Sequence, residues 1–174
     1  IKRDGWRVGH IEAGMRTYNE WMPEEINRVC CDHMSSMLFT YHDEYSQNLI
    51  RENISPKKIH MVGNTIVEVC SPFAKSLFET EKTEDFILVD IHRAENLGSG
   101  FKETPINRLT NIMNYVNLCS EKWNLPAKML GFGRTRNVIK DNNIDLGGIE
   151  MIDLMGYKDF LKAQYHCKFM ISDS

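Results

Sequence analysis

The sequence predicts an α/β fold built on parallel sheets, and two observations carry that reading. Short apolar, β-branched runs alternate with segments of helical periodicity along the chain. One of those runs, "FILVDI" (86–91), is continuously apolar, as a strand covered on both faces requires. Strands joined by helices of this length imply right-handed βαβ units.

The elements follow in order. "WRVGHI" (6–11) reads as a strand. "PEEINRVCCDHMSSM" (23–37) reads as a helix with an apolar stripe of Ile26, Val29, Cys30, Met34 and Met37 facing a core. Pro23 fits its first position, and Glu24 and Glu25 suit the positive end of its dipole. "LFTY" (38–41) is a strand, "DEYSQNLIREN" (43–53) a helix and "KIHMVG" (58–63) a strand. A helix from about Thr65 is expected to be interrupted near Pro72. After "FILVDI" come a helix carrying Ile106, Leu109, Ile112, Met113, Val116 and Trp123, then the strand "AKMLGF", a polar helix around "RTRNVIKDN", the strand "IEMIDL", a helix from about Tyr157 and the strand "KFMIS".

The charged run "ETEKTED" (79–85) lacks apolar anchors and marks a junction between residues 1–78 and 86–174. With 174 residues, 42% hydrophobic and 26% charged, the composition is that of ordinary globular material. A formal net charge of −3 argues against a nucleic-acid or anionic-membrane surface. No apolar run approaches the roughly 20 residues needed to span a bilayer, and no signal peptide opens the chain, so the expected location is cytoplasmic. Five cysteines with no C-x-x-C pair suit reduced, mostly buried thiols. The chain starts at Ile1 and stops just after an apolar run, which reads as a fragment.

Ligands of parallel sheets sit beyond the carboxyl ends of the strands. Three polar clusters occupy such places and bring Glu12, His92 and Ser174 forward together. Each also has a plainer explanation. Glu12 would serve as a helix cap or pair with Arg16, although Gly14 suggests close backbone approach or a positive φ. His92 would pack at a strand end, yet its loop, 92–100, is polar, holds two glycines and leads to a helix N-terminus able to receive phosphate. Ser174 would be a turn residue. Glu24 and Arg28 share the helix side opposite the apolar stripe, as an exposed i, i+4 ion pair or as groups lining a cleft. His33, on the apolar face, is given a structural role.

The succession "HIEAGMR", "MPEEINR", "NLIRENI", "VGNT", "HRAEN" and "SDS" resembles the UDP-N-acetylglucosamine 2-epimerase family of the non-hydrolysing type, in order and spacing over essentially the whole chain. The resemblance implies two Rossmann-like domains of the glycosyltransferase-B type, both incomplete here, with 86–174 belonging to the UDP-binding domain. It implies interconversion of UDP-N-acetylglucosamine and UDP-N-acetylmannosamine by elimination and re-addition of UDP, with no cofactor. By the same resemblance Glu12 and Glu24 act as acid and base at C2, and His92 stabilises the departing diphosphate. Arg28 lies near the ligand or anchors Glu24, Phe160 belongs to the uridine pocket, and Ser174 contacts diphosphate or ribose. The resemblance also implies a role in polysaccharide synthesis and, for the complete protein, a homodimer.

Further family parts are expected before Ile1 and after Ser174, so the isolated fragment is expected to be inactive. One departure is internal: Phe132-Gly133 stands where relatives carry His-Pro, which touches any effector site built on that histidine. The alternatives are a hydrolysing 2-epimerase, an epimerase of a modified UDP-sugar or a glycosyltransferase on the same fold, and a non-catalytic nucleotide-sugar-binding module.

Overall fold

A computed structural model describes residues 4–77, 84–97 and 105–174. Its packing divides into two compact units, Ile1–Ser71 and Pro72–Ser174. The expected junction, 79–85, falls largely outside the described residues.

In the first unit β1 (Gly9–Ile11), β2 (Met37–Thr40) and β3 (Ile59–Met61) form a parallel sheet in that order. They alternate with α1 (Pro23–Met34), α2 (Asp43–Arg51) and α3 (Thr65–Leu77), and the 3-10 turn Pro56–Lys58 leads into β3. The expected strand 6–11 is ordered as ladder only over its last three residues, and Ala13 N–H extends the pairing by donating to Phe39 O at 3.1 Å. Ala13, Leu38, Leu49 and Ile54 make a small core. Contrary to expectation α3 continues through Pro72, which removes only the bond to the Glu68 carbonyl and leaves the turns on either side intact. The division between the two units falls at this same Ser71–Pro72 step.

The second unit is a four-stranded parallel sheet, order β6-β5-β4-β7, formed by β4 (Ile87–Asp90), β5 (Ala127–Leu130), β6 (Ile149–Ile152) and β7 (Phe169–Ser172). Its helices are α4 (Ala94–Leu97), α5 (Pro105–Trp123), α6 (Gly133–Asp141) and α7 (Tyr157–His166). All four residues of β4 are buried, as the continuous apolar run required. Successive side chains go to opposite faces. Ile87 and Val89 pack with Leu109, Met113 and Val116 of α5 and Ile139 of α6, while Phe86 and Leu88 pack with Cys167 and with Phe160 and Ala163 of α7. Each of those fully buried aliphatic side chains contributes about 1.5–3 kcal/mol. No helix among the described residues is long and apolar enough to cross a membrane.

Helix α1 reverses its expected orientation. Ile26 and Met34 are 54% and 59% exposed, whereas Glu25 and Asp32 are buried at 5% and 1%, and Met37, expected on the same helix, opens β2 instead. The cause is a set of charges that must be paired inside. Asp32 Oδ1 lies 2.7 Å from His10 Nδ1, and Oδ2 accepts from the Gly14 N–H at 3.1 Å and lies 2.8 Å from Arg16 Nη1. The Arg16 guanidinium, itself enclosed, donates through Nε and Nη2 to Glu52 at 2.6 and 2.7 Å. His33 is exposed rather than packed on an apolar face, and its Nε2 lies 3.3 Å from Glu52 Oε2. Glu25 accepts the backbone N–H groups of Thr17 and Tyr18 at 2.9–3.1 Å. The expectation of mostly buried thiols also fails: none of the five cysteines, all among the described residues, is in a disulfide, but Cys30 and Cys31 are exposed on the outward side of α1 and only Cys167 is buried.

Burial alone would discharge Arg16, but its bonds to Glu52 and Asp32 outweigh that and raise its pKa. The hydrogen bond from Arg16 holds Glu52 below its ordinary value of 4.5. Burial opposes the charge on Glu25, and the Thr17 and Tyr18 donors prevail, again lowering the pKa.

Removing Asp32 strands Arg16 without its buried partner, so Asp32→Ala is expected to cost about 3–5 kcal/mol in denaturant unfolding. Cys31→Ser, at an exposed position, is expected to stay within about 0.5 kcal/mol. The depressed Glu25 and Glu52 carboxyls bind protons more weakly folded than unfolded, so their contribution is complete above their ordinary value of 4.5 and is lost as pH falls through the folded values. Thermal melts taken below pH 4.5 are expected to show a falling Tm, with a shallower fall in Glu52→Gln.

Candidate functional site

In the first unit Glu12 follows β1 directly, exposed, with a left-handed backbone at φ +72°. That conformation costs a residue with a Cβ roughly 1–2 kcal/mol, so surrounding contacts must hold it. The Asp32 network grips His10 and Gly14 on either side. Gly14 has the positive φ, +78°, that its position suggested, and a Cβ there would collide with the Tyr45 carbonyl oxygen. The Gly14 carbonyl accepts from Asn48 Nδ2 at 3.0 Å. Every neighbour of Glu12 is thus pinned, and the carboxylate is left at the strand end.

The Glu12 side chain has one hydrogen-bond partner among the described residues. Tyr41 donates to its Oε1 at 2.9 Å and lies 3.3 Å from Thr65 Oγ1. Burial, then the neighbouring Glu12 carboxylate, push the Tyr41 pKa up, so Tyr41 stays a donor. The sequence reading passed over Tyr41. Its signal was the rule already applied to Glu12, since it is the first residue after β2.

Glu24 is exposed in the first turn of α1. The expected Glu24–Arg28 ion pair does not form among the described residues. Arg28, half-buried, instead has its Nη1 3.8 Å from Glu25 Oε2, because Glu25 is already fixed beneath it by the Thr17 and Tyr18 amides. Neither Glu24 nor Arg28 makes a direct contact with Glu12 among the described residues.

The second unit carries His92, Phe160 and Ser174. The strand order changes direction between β4 and β7, the switch point at which parallel sheets bind ligands. His92 follows β4 and Ser174 follows β7, and the register places Asp90 beside Ser172. Asp173 ties the two strand ends together: it accepts the backbone N–H of His92 at 3.1 Å and of Arg93 at 3.0 Å, and the Asn96 amide at 2.8 Å. The loop start folds into α4, a short helix that sequence periodicity did not reveal, and the N–H groups just ahead of it already have the Asp173 carboxylate as anion. Residues 98–100 of that loop, with both its glycines, lie outside the described residues. Ser174 is exposed, its N–H donating to Ser172 Oγ at 3.0 Å.

A cleft of about 290 Å³ opens at this edge, lined by Asp90, Leu130, Phe132, Met155, Tyr157 and Phe160. Its apolar, aromatic wall suits a flat heterocycle. The His92 ring lies tilted at 36° against Phe132 with ring centroids 4.8 Å apart, and its Nδ1 lies 2.8 Å from Asp90 Oδ1. Thr135 pins α6 beside it by donating to the Ile91 carbonyl at 2.7 Å. A larger cavity of about 460 Å³, among Glu84, Phe86, Lys128, Glu150 and His166, includes residues near the amino ends of β4 to β6 and lacks His92, Phe160 and Ser174. Strand polarity favours the smaller cleft as the ligand site. No group of three or more His, Cys, Asp or Glu among the described residues could hold a metal ion.

Comparison with known proteins agrees with the motifs. The family model described as UDP-N-acetylglucosamine 2-epimerase matches residues 2–174. The UDP-N-acetylglucosamine 2-epimerase of Methanococcus maripaludis is 32% identical over 98% of this chain and 49% of its own length. The UDP-2,3-diacetamido-2,3-dideoxy-D-glucuronate 2-epimerase of Pseudomonas aeruginosa is 33% identical over 96% of this chain and 46% of its own. The crystal structure of Methanocaldococcus jannaschii UDP-GlcNAc 2-epimerase in complex with UDP-GlcNAc and UDP superposes with a TM-score of 0.87 at 32% identity, covering 99% of this chain and 49% of that one. The chain spans about half the length of the relatives it matches. With its motifs, its two parallel α/β units and a family match over nearly every residue, the chain belongs to the UDP-N-acetylglucosamine 2-epimerase family.

Proposed function

We propose that the protein carrying this sequence interconverts UDP-N-acetylglucosamine and UDP-N-acetylmannosamine by inversion at C2. One observation carries the reading beyond family membership: in each unit a titratable group follows the first strand and is aligned by a partner of its own. Glu12 is held by Tyr41 and His92 by Asp90.

The chemistry follows from those groups. A carboxylate takes the C2 proton while the C1–O bond to the diphosphate breaks, leaving a C1–C2 double bond in an enzyme-held 2-acetamidoglucal and free UDP. Re-addition of UDP at C1 with delivery of a proton to the opposite face of C2 gives the epimer. Two faces call for two acid–base groups, and Glu12 and Glu24 take those roles. His92 stabilises the charge that develops on the departing diphosphate. Phe160 stacks on the uracil, Ser174 contacts diphosphate or ribose, and Arg28 lies at the ligand edge of α1. No electrons are gained or lost overall, so no redox cofactor is needed.

This reading takes residues 1–78 as the end of a first Rossmann-like domain and 86–174 as the start of the UDP-binding one, joined by the 79–85 run. It also carries a homodimer in the cytoplasm, supplying polysaccharide synthesis. Similarity to the Pseudomonas aeruginosa enzyme favours one second reading, the same C2 chemistry on a more decorated UDP-sugar.

Incubation with UDP-N-acetylglucosamine in heavy water is expected to place deuterium at C2 of both epimers, followed by proton NMR. Binding without exchange would instead identify a non-catalytic module, and free N-acetylmannosamine accumulating with UDP a hydrolysing enzyme. Assay of both UDP-sugars separates the second reading. Glu12→Gln, Glu24→Gln and His92→Gln are each expected to lower kcat by about 10²–10⁴-fold with the circular-dichroism spectrum unchanged. Wild-type turnover in any of them removes that residue from the mechanism. Phe160→Ala is expected to weaken UDP binding in calorimetry by about 10-fold or more, as loss of one base–aromatic stack.

A further inference from the structure

Asp90 ends β4 at 7% exposure, in a strand whose other three residues are completely buried. A carboxylate so far removed from water needs a partner, and this one has His92. The two lie two residues apart on extended chain and so share a face of the sheet. Asp90 Oδ1 is 2.8 Å from His92 Nδ1. A carboxylate only accepts, so Nδ1 bears the hydrogen in this contact.

The alternative partner is already occupied. Asp173 stands 3.7 Å from the same nitrogen, and its oxygens accept the His92 and Arg93 backbone N–H groups and the Asn96 amide. Phe132 covers the ring from one side. Turning the imidazole by 180° would set a C–H against Asp90 and lose the bond, so the carboxylate selects one ring orientation. Nε2 has no hydrogen-bond partner among the described residues.

We propose that Asp90 is a positioning residue: by accepting the Nδ1 hydrogen it makes Nε2 the nitrogen that His92 presents to the departing diphosphate. The role rests on the proposed placement of His92 at the leaving group. It parallels the carboxylate or carbonyl that orients a metal-bound histidine from its far nitrogen, where removing the orienting group costs about 10–100-fold in affinity or activity.

The test combines long-range proton–nitrogen NMR of ¹⁵N-histidine-labelled protein, with the His92 signal identified by its loss in His92→Gln, and steady-state kinetics of Asp90→Ala and Asp90→Asn. The expected wild-type spectrum has His92 protonated at Nδ1. Asp90→Ala is expected to lose that fixed tautomer and to lower kcat about 10–100-fold with KM little changed. Asp90→Asn is expected to recover most of the loss if its amide oxygen accepts the Nδ1 hydrogen, and to remain slow with Nδ1 unprotonated if its NH2 donates there instead. An unprotonated Nδ1 in the wild type, full kcat in Asp90→Ala, full kcat in an Asn variant with Nδ1 unprotonated, or an Asn variant no better than Ala despite a protonated Nδ1 would each overturn the proposal. Should Asp90→Ala fail to fold, the wild-type spectrum and the Asn variant decide. Full turnover in His92→Gln would instead defeat the reading of His92, and with it this role, while the spectrum still reported the Asp90–His92 bond.

Discussion

The Asp32 carboxylate, with 1% of its surface exposed, organises the first unit. A charge that deep is tolerated only if its oxygens are met by donors, and those donors come from the segment after β1: the His10 ring, the Gly14 amide and the Arg16 guanidinium. One side chain on α1 therefore fixes three points of a seven-residue stretch, and Glu12 is carried between them in a backbone conformation it would not choose alone. Arg16 passes the constraint on to Glu52 at the end of α2, so both helices hold the same loop.

The second unit reaches a similar result by different means. There β4 is the apolar spine, packed by α5 and α6 on one face and α7 on the other. Its end cannot move, so the residues that follow inherit its rigidity. Asp173, arriving on the neighbouring strand, closes the loop by taking up its free amides. Phe132, just after β5, and the aromatic side chains of α7 complete the cleft, and Asp90 lines it at the end of β4.

Much of this was legible in advance. Among the described residues, the seven strands and six of the seven α-helices follow from apolar runs and helical spacing, because both periods are local properties of the chain. The importance of strand ends follows from sheet polarity alone, and it pointed to Glu12, His92 and Ser174 without any knowledge of their partners. Helix α1 is where pattern misled. Its apolar stripe was read as the buried side, but the requirement to pair Arg16 and to cap Thr17 and Tyr18 turned Glu25 and Asp32 inward. Glu24 is exposed although the helix turned the other way, and its expected ion pair with Arg28 does not form among the described residues, since Arg28 found Glu25 nearer.

What the sequence by itself determined is the alternation of strands and helices, the parallel sheets it implies and the family-specific residues at the strand ends. Those are properties of local spacing and residue type. What only the tertiary structure decided is the partnership of each charged group: Tyr41 with Glu12, Asp32 with Arg16 and Asp90 with His92. Two of these pairs join segments 16 and 29 residues apart, and the third depends on which of two carboxylates is left free. Electrostatic pairing is a property of distance and burial in space, and neither is written in the order of residues along the chain.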